Sequence, residues 1–355
     1  MTTAEDRRQY HRKRPLRIAL SIVLIVITLI LAIYSLSVNS FEVSMKDAWD
    51  AIVGRISGNE PIDYYHEMVS YVVIDINAPR TIAGIFIGAI LAIAGAVMQT
   101  VTRNPLADPY TIGISSAALF GMTISTVFGI CLIPSLEGNV ANSVNAFVFA
   151  LIPALVIVFF STFKKLSSTM MILIGIGLMY FFSSMTTMIK FNASEEKLEE
   201  IYRWSIGSLT GLEWGDVLPI LLTFVVVLLL FFIFSKKINT LTAGDVVAQT
   251  LGEKPLLIRL FCFVLTSIGV AVCVCYTGTI GFVGLVAPHI ARTLVGNNTT
   301  LLIPSSAMIG GLFILVGDVA VRSLPGGLPV GVMTALIGTP IFIYFLFKGR
   351  RQENF

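Results

Sequence analysis

The sequence predicts an all-α polytopic membrane protein with ten transmembrane helices, on three observations. Hydrophobic residues make up 55% of its 355 residues and charged residues only 13%, against roughly a quarter charged in soluble domains. Nine runs carry no charged residue, and each is long enough for the roughly 17 to 25 residues with which a helix crosses a bilayer. The runs are also continuously apolar, whereas a transmembrane barrel shows alternating segments of about 10 residues. A soluble globule is therefore excluded.

The nine uncharged runs follow one another along the chain and give ten spans. In order, they are 18–41, 81–102, 109–136, 138–163, 166–189, 217–235, 260–291, 293–317 and 323–347. The seventh run is too long for one crossing, and three glycines and a proline interrupt it between residues 278 and 288. We expect one helix over about 260–277 and a short, irregular helix over about 280–294, because non-helical backbone at membrane depth is tolerated where protein covers it.

Both ends of the chain are basic. The tail of residues 1–17 carries five arginines and a lysine, and three basic residues follow the last run. The positive-inside bias places both termini in the cytoplasm, which agrees with an even number of crossings. The cytoplasmic segments then hold 17 basic and 6 acidic residues, and the external ones hold 7 and 15. We expect a multi-pass protein of the cell membrane whose residues 1–17 form a cytoplasmic tail and not a cleaved signal.

Three loops between the spans have patterns of their own, within what we expect to be a single transmembrane domain over 1–355. The external segment 42–80 opens with a predicted helix capped by Ser44, with Asp47 three residues later and Trp49 placed for the membrane interface. A second external helix, about 195–204, is acidic and is expected to be a solvated face.

The cytoplasmic loop 236–259 contains a short amphipathic helix that Gly252 is expected to end. Its apolar positions, Val246, Val247, Thr250 and Leu251, lie outside the membrane. The pattern leaves two interpretations open. The helix rests on lipid headgroups, although it lacks the usual Lys and Arg, or it docks to a cytoplasmic partner.

The sequence lacks the motifs of catalysis. It has no Gly-Lys dipeptide, so the phosphate-binding Gly-x-x-x-x-Gly-Lys-[Ser/Thr] loop is missing, and it has no HExxH or CxxC pattern. The four cysteines lie in apolar runs and are expected to be small buried hydrophobes. We expect no metal site, no cofactor, no nucleic-acid partner and no enzymatic activity.

The ionisable groups within the runs allow structural or functional interpretations. Asp318 and Arg322 are four residues apart, so they share a helix face, and we favour a structural pair over a proton relay. His289 follows Pro288, and a hydrogen bond to a backbone carbonyl is favoured over metal binding. The small residues Gly84, Gly88 and Ala92 indicate close helix packing, either within the chain or between subunits.

Several segments together resemble one family, the FecCD-type permeases of ABC importers for iron-siderophores, haem and cobalamin. The matching segments are Pro79-Arg80-Thr81, 88–99, 103–109, 113–118, 204–209, 278–292 and 329–340. The resemblance implies the type II ABC importer permease fold with ten helices per subunit. It implies a second permease subunit, identical or paralogous, two cytoplasmic ATP-binding subunits, an external substrate-binding protein and a metal-chelate substrate.

The resemblance also implies roles for particular residues. The ATPase-coupling segment matches Thr242, Asp245, Val246, Gln249, Leu251 and Gly252, which favours docking over lipid contact. Binding-protein docking falls on Arg80 and Arg322, with Asp318 orienting Arg322, while Asn77 stands where many relatives carry a basic residue. The cytoplasmic gate region matches Ser167, Ser168 and Thr169, although these could equally cap a helix. We expect a pathway lined by small and apolar residues such as Gly175, Gly177, Met179 and Ser183.

The predicted function is therefore the permease subunit of an importer for iron(III)-siderophore type chelates. Haem or cobalamin import is an alternative within this class. An ion-coupled secondary transporter would need a titrating membrane group, for which only Asp318 is available, and an integral membrane enzyme would need a catalytic constellation that is missing.

Overall fold

The computed structural model describes residues 4–38, 43–58, 62–164, 166–324 and 326–350. Within these residues the chain forms fourteen α-helices. They are α1 Ala4–Ser37, α2 Met45–Ser57, α3 Tyr64–Ser70, α4 Ala78–Thr102, α5 Ile114–Phe128, α6 Gly138–Phe163, α7 Ser168–Lys190, α8 Glu195–Ile206, α9 Trp214–Thr240, α10 Asp245–Thr250, α11 Pro255–Thr277, α12 Val283–Val295, α13 Thr299–Ser323 and α14 Val330–Arg350. A π-helical stretch, Tyr71–Asn77, leads into α4.

Ten of the described helices correspond to the ten predicted spans. Seven are long and apolar enough to cross a membrane, and three shorter apolar helices lie at α5, α12 and α14. The run 109–136 contributes only the 15 residues of α5. It is short because Asp108 caps a 3-10 turn over Pro109–Ile112, with its carboxylate 2.8 Å from the Tyr110 backbone nitrogen, and Gly113 turns the chain at a φ of 91°.

Helix α4 is the central helix of the bundle. Most of its side chains are buried, and it packs against α9, α11, α12 and α13. A Cβ atom on Gly88 would overlap the backbone of Gly310 in α13, and one on Gly95 would overlap that of Gly284 in α12. The predicted small-residue face therefore packs within the chain, where glycines let two helix backbones come into contact.

The long seventh run breaks where the sequence predicts. Helix α11 ends before Gly278, which has a φ of 67°, and α12 begins after Phe282, whose φ of 68° is unusual for a residue with a side chain. The connection is covered by protein, because the Ser208 nitrogen donates to the Thr277 carbonyl at 2.8 Å. This cover satisfies the condition under which irregular backbone is tolerated at membrane depth.

Pro288 lies inside α12 and lacks the N–H that would bond to the Gly284 carbonyl four residues earlier. The side-chain nitrogen of Gln99 in α4 donates to that carbonyl at 3.2 Å. The side-chain oxygen of Gln99 accepts a hydrogen bond from Arg292. One buried glutamine thus replaces the hydrogen bond that Pro288 cannot donate, and it joins α4 to α12.

The two predicted external helices are present. Ser44 and Asp47 form a reciprocal capping box at the start of α2, and Trp49 is 57% exposed on this helix. The acidic helix is α8, two residues longer than predicted. Both follow from local signals, an N-terminal cap and a polar periodicity, that need no tertiary information.

Candidate functional site

The bundle has two ends that carry different charged groups. At one end, called the basic end, lie the end of α4, the start of α11 and residues 241–252, called the α10 segment. At the other, called the acidic end, lie the end of α1, the start of α4 and the end of α13. Hydrogen bonds hold the elements of each end together. At the basic end, Arg259 bonds to the Asp245 carboxylate and to the Val101 carbonyl, and at the acidic end Arg80 bonds to Asp318.

The α10 segment is a compact projection between α9 and α11. A 3-10 turn covers Leu241–Ala243, and Gly244 enters α10 at a φ of 103°. Helix α10 has six residues and is followed by Gly252, which has a φ of 80°. The predicted helix is therefore present and ends two residues before Gly252, so it is shorter than the pattern indicates.

An ion pair fastens α10 to the bundle. The Asp245 carboxylate accepts hydrogen bonds from both terminal nitrogens of Arg259, at 2.8 and 2.5 Å. The Arg259 side chain is only 2% exposed, and its Nε donates to the Val101 carbonyl of α4 at 3.0 Å. The hydrogen bonds from Arg259 lower the pKa of Asp245 below its usual value. Displacement of α10 would therefore be transmitted to α11 and α4 together.

The outward side of the α10 segment is apolar. Val246 is 75% exposed, Leu251 64% and Val247 44%, whereas Ala248 is fully buried against the bundle. Thr242 and Gln249 are also exposed beside them. An exposed apolar patch on a short helix that does not face lipid indicates a site of interaction with another protein.

Three charged groups form an ion cluster at the acidic end. Asp318 is 1% exposed and lies between two guanidinium groups, 2.6 Å from Arg80 Nη2 and 2.8 Å from Arg322 Nη2. The structural pairing of Asp318 with Arg322 is therefore confirmed. The sequence did not predict that Arg80 completes the cluster, since Arg80 and Asp318 are 238 positions apart.

Arg322 also ties the ion cluster to α1. Its Nη1 donates to the carbonyls of Ser35 and Val38, at 2.7 and 3.0 Å, and its Nη2 donates to the Ser35 hydroxyl. Asn77 is buried nearby and donates to the Leu36 carbonyl at 2.8 Å. The ends of α1, α4 and α13 are thus held together by polar contacts, and little of each arginine faces outward.

The residues predicted for the gate and the pathway lie on α7. The hydroxyl of Ser167 accepts a hydrogen bond from the Met170 nitrogen at 3.2 Å and so caps this helix. Capping is one of the two roles that the sequence allows for Ser167. Gly175 is buried, because a Cβ there would come within 2.7 Å of the Ile112 backbone. Gly175 therefore lies in a packing contact and not on an open wall. Met179 is half-buried and Ser183 is exposed.

A cavity lies elsewhere, between the end of α8, the connection that precedes α12, and α14. Its volume is about 670 Å³, and its walls are mostly apolar with a few hydroxyl groups. They include Ser205, Thr279, Gly331, Leu336 and Thr339. Sequence reasoning missed this cavity, although small and polar residues in the last span were a signal for it.

The structure also brings His289 close to a backbone carbonyl, as predicted. Its Nδ1 is 2.8 Å from the Leu285 oxygen, and its ring packs edge-on against Phe342. Among the residues that the structure describes, no group of three or more His, Cys, Asp or Glu could hold a metal ion.

A bundle of apolar spans with a projecting short helix at one end and an open cavity beside α14 defines a multi-pass helical permease. Residues 27–348 match the FecCD transport family, so the chain belongs to that family.

Named relatives and a solved structure place the chain further. It is 33% identical over 322 residues to a relative from Helicobacter pylori strain J99 named as a probable iron chelatin transport system permease, covering 90% of this chain and 96% of that one. It is 35% identical to the cobalamin import system permease of Halobacterium salinarum, covering 79% and 74%. A solved inward-facing transporter of the metal-chelate ABC type superposes with a TM-score of 0.80 at 29% identity, over 93% and 99% of the chains.

Proposed function

We propose that the chain is the permease subunit of an ABC importer that carries an iron(III)-siderophore type chelate into the cytoplasm. Two separate ATP-binding subunits bind at the basic end, a second permease completes the pathway, and an external protein delivers the chelate at the acidic end. The exposed apolar patch on α10, fastened to the bundle core through Asp245 and Arg259, is the observation that carries this proposal.

The geometry of α10 suits the transfer of force. Helix α10 presents Val246 and Leu251 outward, and only a separate protein would cover them outside the membrane. Movement of that protein pulls on Asp245, and hence on α11 and α4 through Arg259. Closure of the ATPase pair then biases the bundle between two packings that open to opposite sides, since a partner shifts an equilibrium only through unequal contacts with its two states.

The orientation follows from charge. The basic end faces the cytoplasm, because positively charged loops are retained on that side. The ion cluster at the other end holds two arginines and one aspartate, so its net charge is positive although most of each guanidinium is buried. Such a charge attracts acidic side chains of a delivery protein, which supports docking at Arg80 and Arg322.

The cavity beside α14 supports a chelate as cargo. Its apolar walls carry the hydroxyl groups of Ser205, Thr279 and Thr339 but no ion pair, and a bulky complex needs few charges to be carried. Met179 and Ser183 of α7 complete the pathway towards the second permease. Relatives named for iron chelatin, iron(3+)-hydroxamate and Fe(3+)-citrate favour an iron chelate over cobalamin. Cobalamin import remains the second candidate because one relative carries that name.

Ion-coupled transport is less consistent with the site. That mechanism requires a group that exchanges a proton during transport, but Asp318 is held by two guanidinium groups within 2.8 Å. A carboxylate in this position stabilises the bundle, and its release would leave two arginines without a counter-ion.

Reconstitution with the ATPase and binding-protein partners tests the function. We expect ferric hydroxamate or ferric citrate complexes to stimulate ATP hydrolysis and to accumulate inside proteoliposomes, and haem and cobalamin to have weaker effects. Val246→Glu should abolish the stimulation, while Leu106→Glu, at a 49% exposed leucine of the same end, should retain most of it. Accumulation that persists without ATP would refute the proposal.

Labelling in intact cells tests the orientation. In a Cys131→Ser background the remaining cysteines are buried, so the label reports the introduced cysteine. Val246→Cys should then react with an impermeant maleimide only after permeabilisation, because the basic end faces the cytoplasm. Glu195→Cys on α8 should react without permeabilisation. The reverse pattern would place the α10 segment outside and exclude ATPase docking.

A further inference from the structure

Helix α2 packs against the end of α1 and against the segment that leads into α4. The Ser37 hydroxyl of α1 donates to the Met45 sulfur at 3.1 Å. Ala48 of α2 is 3% exposed and forms a small apolar cluster with Val69 of α3 and Val73 of the π-helical stretch. Because α1 ends and α4 begins at the acidic end, α2 lies at that end of the bundle.

A stripe of large apolar side chains on α2 is exposed. This α2 stripe consists of Met45, Trp49, Val53 and Ile56, which are 47%, 57%, 42% and 82% exposed. The four positions are three or four residues apart and therefore share one face of the helix. Lys46, Asp50 and Ser57 are exposed on a different side. The helix thus has a packed side, an apolar side and a polar side.

An apolar cavity lies between α1 and α2, next to the α2 stripe. Its volume is about 240 Å³. It is lined by Ile33, Leu36, Met45, Ala48, Trp49 and Ile52. Their side chains carry no charge, hydroxyl or amide group, whereas a water molecule in such a space needs two to four polar partners. The cavity therefore suits hydrocarbon better than water.

The surface of α1 shows which hydrocarbon reaches this cavity. The stretch Ala19–Ser37 is long and apolar enough to cross a membrane, and almost none of it is buried in the bundle. Ile30 and Ile33 are 62% and 46% exposed, so membrane lipid covers this side of α1. Ile33 also lines the cavity. Lipid beside α1 is therefore continuous with the cavity and, through Met45 and Trp49, with the α2 stripe.

We propose that lipid acyl chains from the leaflet at the acidic end fill this cavity and cover the α2 stripe. Helix α2 then lies in the plane of the membrane interface, as helices with one apolar and one polar side do. Trp49 is at the level of the headgroups, where tryptophan is enriched in membrane proteins. Lys46 and Asp50 face water.

This contact fixes the segment in front of α4. Ala48 joins α2 to Val69 and Val73, and the π-helical stretch continues directly into α4 and Arg80. Lipid contact at α2 therefore sets the depth at which the ion cluster lies. The inference depends on the chain lying in a membrane and not on its cargo or its partners.

Tryptophan fluorescence in bilayers tests the proposal. Trp204→Phe together with Trp214→Phe leaves Trp49 as the only tryptophan of the chain. The full-length variant is reconstituted in phosphatidylcholine vesicles. The probes are phosphatidylcholine brominated near the headgroup end of its acyl chains, phosphatidylcholine brominated near their methyl end, and aqueous iodide. An interfacial helix buries its apolar side about 5–10 Å into the boundary of headgroups and acyl chains, so we expect the shallow bromines to quench Trp49 more strongly than either other probe.

A matched pair of variants tests which side of α2 faces the lipid. Val53→Glu and Ser57→Glu each add one carboxylate at an exposed position of the same helix. Val53→Glu, one turn after Trp49 in the α2 stripe, should weaken quenching by the shallow bromines and shift the Trp49 emission to longer wavelength. Ser57→Glu, on the polar side, should leave both unchanged. If the double tryptophan replacement does not fold, the difference between wild type and Trp49→Phe reports the same contact.

Other outcomes would overturn the proposal. Stronger quenching by iodide than by either lipid would place the α2 stripe in water, and strongest quenching by the deep bromines would place α2 within the hydrocarbon core. Protection from iodide that requires the external delivery protein would assign the stripe to a protein partner. Equal effects of the two glutamate variants would show that the membrane does not distinguish the two sides of α2.

Discussion

The carboxylate of Asp245 bonds to both terminal nitrogens of Arg259, and the third nitrogen of the same guanidinium bonds to the Val101 carbonyl. A buried arginine is therefore shared between the projecting helix α10 and the central helix α4. The pair joins an exposed apolar surface to the most buried part of the bundle.

Replacing Asp245 by Asn should destabilise the chain moderately. Arg259 would lose its counter-ion while Asn still accepts one hydrogen bond. We expect a cost on the order of 1–2 kcal/mol, below the roughly 3–5 kcal/mol of a fully buried pair, because Asp245 is 39% exposed. The unfolding midpoint in detergent measures it, with Glu253→Gln as the control at the same end.

The contribution of Asp245 should depend on pH in one direction. Its pKa is lowered in the folded chain by the hydrogen bonds from Arg259, so the stabilisation is fully present above the ordinary carboxyl pKa of about 4. It should decrease as the pH falls through the lowered folded pKa. The difference in stability between wild type and Asp245→Asn should thus be constant from about pH 5 to 8 and shrink only below about pH 4. A difference that varied between pH 6 and 8 would contradict this assignment.

Adding a methyl group at Gly88 should disrupt the bundle. A Cβ there would overlap the Gly310 backbone, and neither α4 nor α13 can move without repacking. We expect Gly88→Ala to cost about 1–3 kcal/mol or more, the range for overpacked cores. Gly177→Ala is the control, because nothing lies within 4 Å of a Cβ at that position. Equal midpoints for both variants would show that the contact is looser than described.

Neutralising Asp318 should be costlier than neutralising an exposed aspartate. Asp318→Asn would leave Arg80 and Arg322 without their shared anion at a site only 1% exposed. Breaking a buried pair in this way costs roughly 3–5 kcal/mol, whereas Asp50→Asn on exposed α2 should change stability little. Adding Arg322→Gln to Asp318→Asn should recover part of the loss, which a double-mutant cycle measures.

The role of Gln99 can be tested together with Pro288. Gln99→Leu would leave the Gly284 carbonyl without a donor and Arg292 without its acceptor, at about 1–3 kcal/mol for a buried unsatisfied group. Pro288→Ala supplies the missing backbone N–H, so it should be less harmful in the Gln99→Leu background than in wild type. Strict additivity of the two changes would show that the carbonyl is satisfied in another way.

The helices were largely predictable from the sequence. The nine apolar runs that give ten spans, the Ser44 cap and the break near Gly278 are local features, and each appears in the described structure. The α10 helix and its end near Gly252 were also predicted, because glycine and periodicity act over a few residues. The limits of α5 were not, since a capped turn replaces helix over 109–112.

The candidate site was predictable only in part. Asp318 and Arg322 share a helix face and could be paired from spacing alone, whereas Arg80 joins them across 238 residues. Gly175 was expected in the pathway, but it packs against Ile112. Arg259 gave no signal, because a single charge near the start of a span looks the same in the sequence whether it faces water or the carboxylate of another helix.

Composition and periodicity by themselves determined that this chain is an all-α membrane protein with ten apolar helical segments. Apolar length and polar interruptions act along the chain, so they can be counted in one dimension. Tertiary structure alone decided that Arg259 joins α10 to α4, that Gln99 replaces the hydrogen bond lost at Pro288, and that cavities lie beside α14 and between α1 and α2. These features depend on distances between helices far apart in sequence, and close packing fixes such distances.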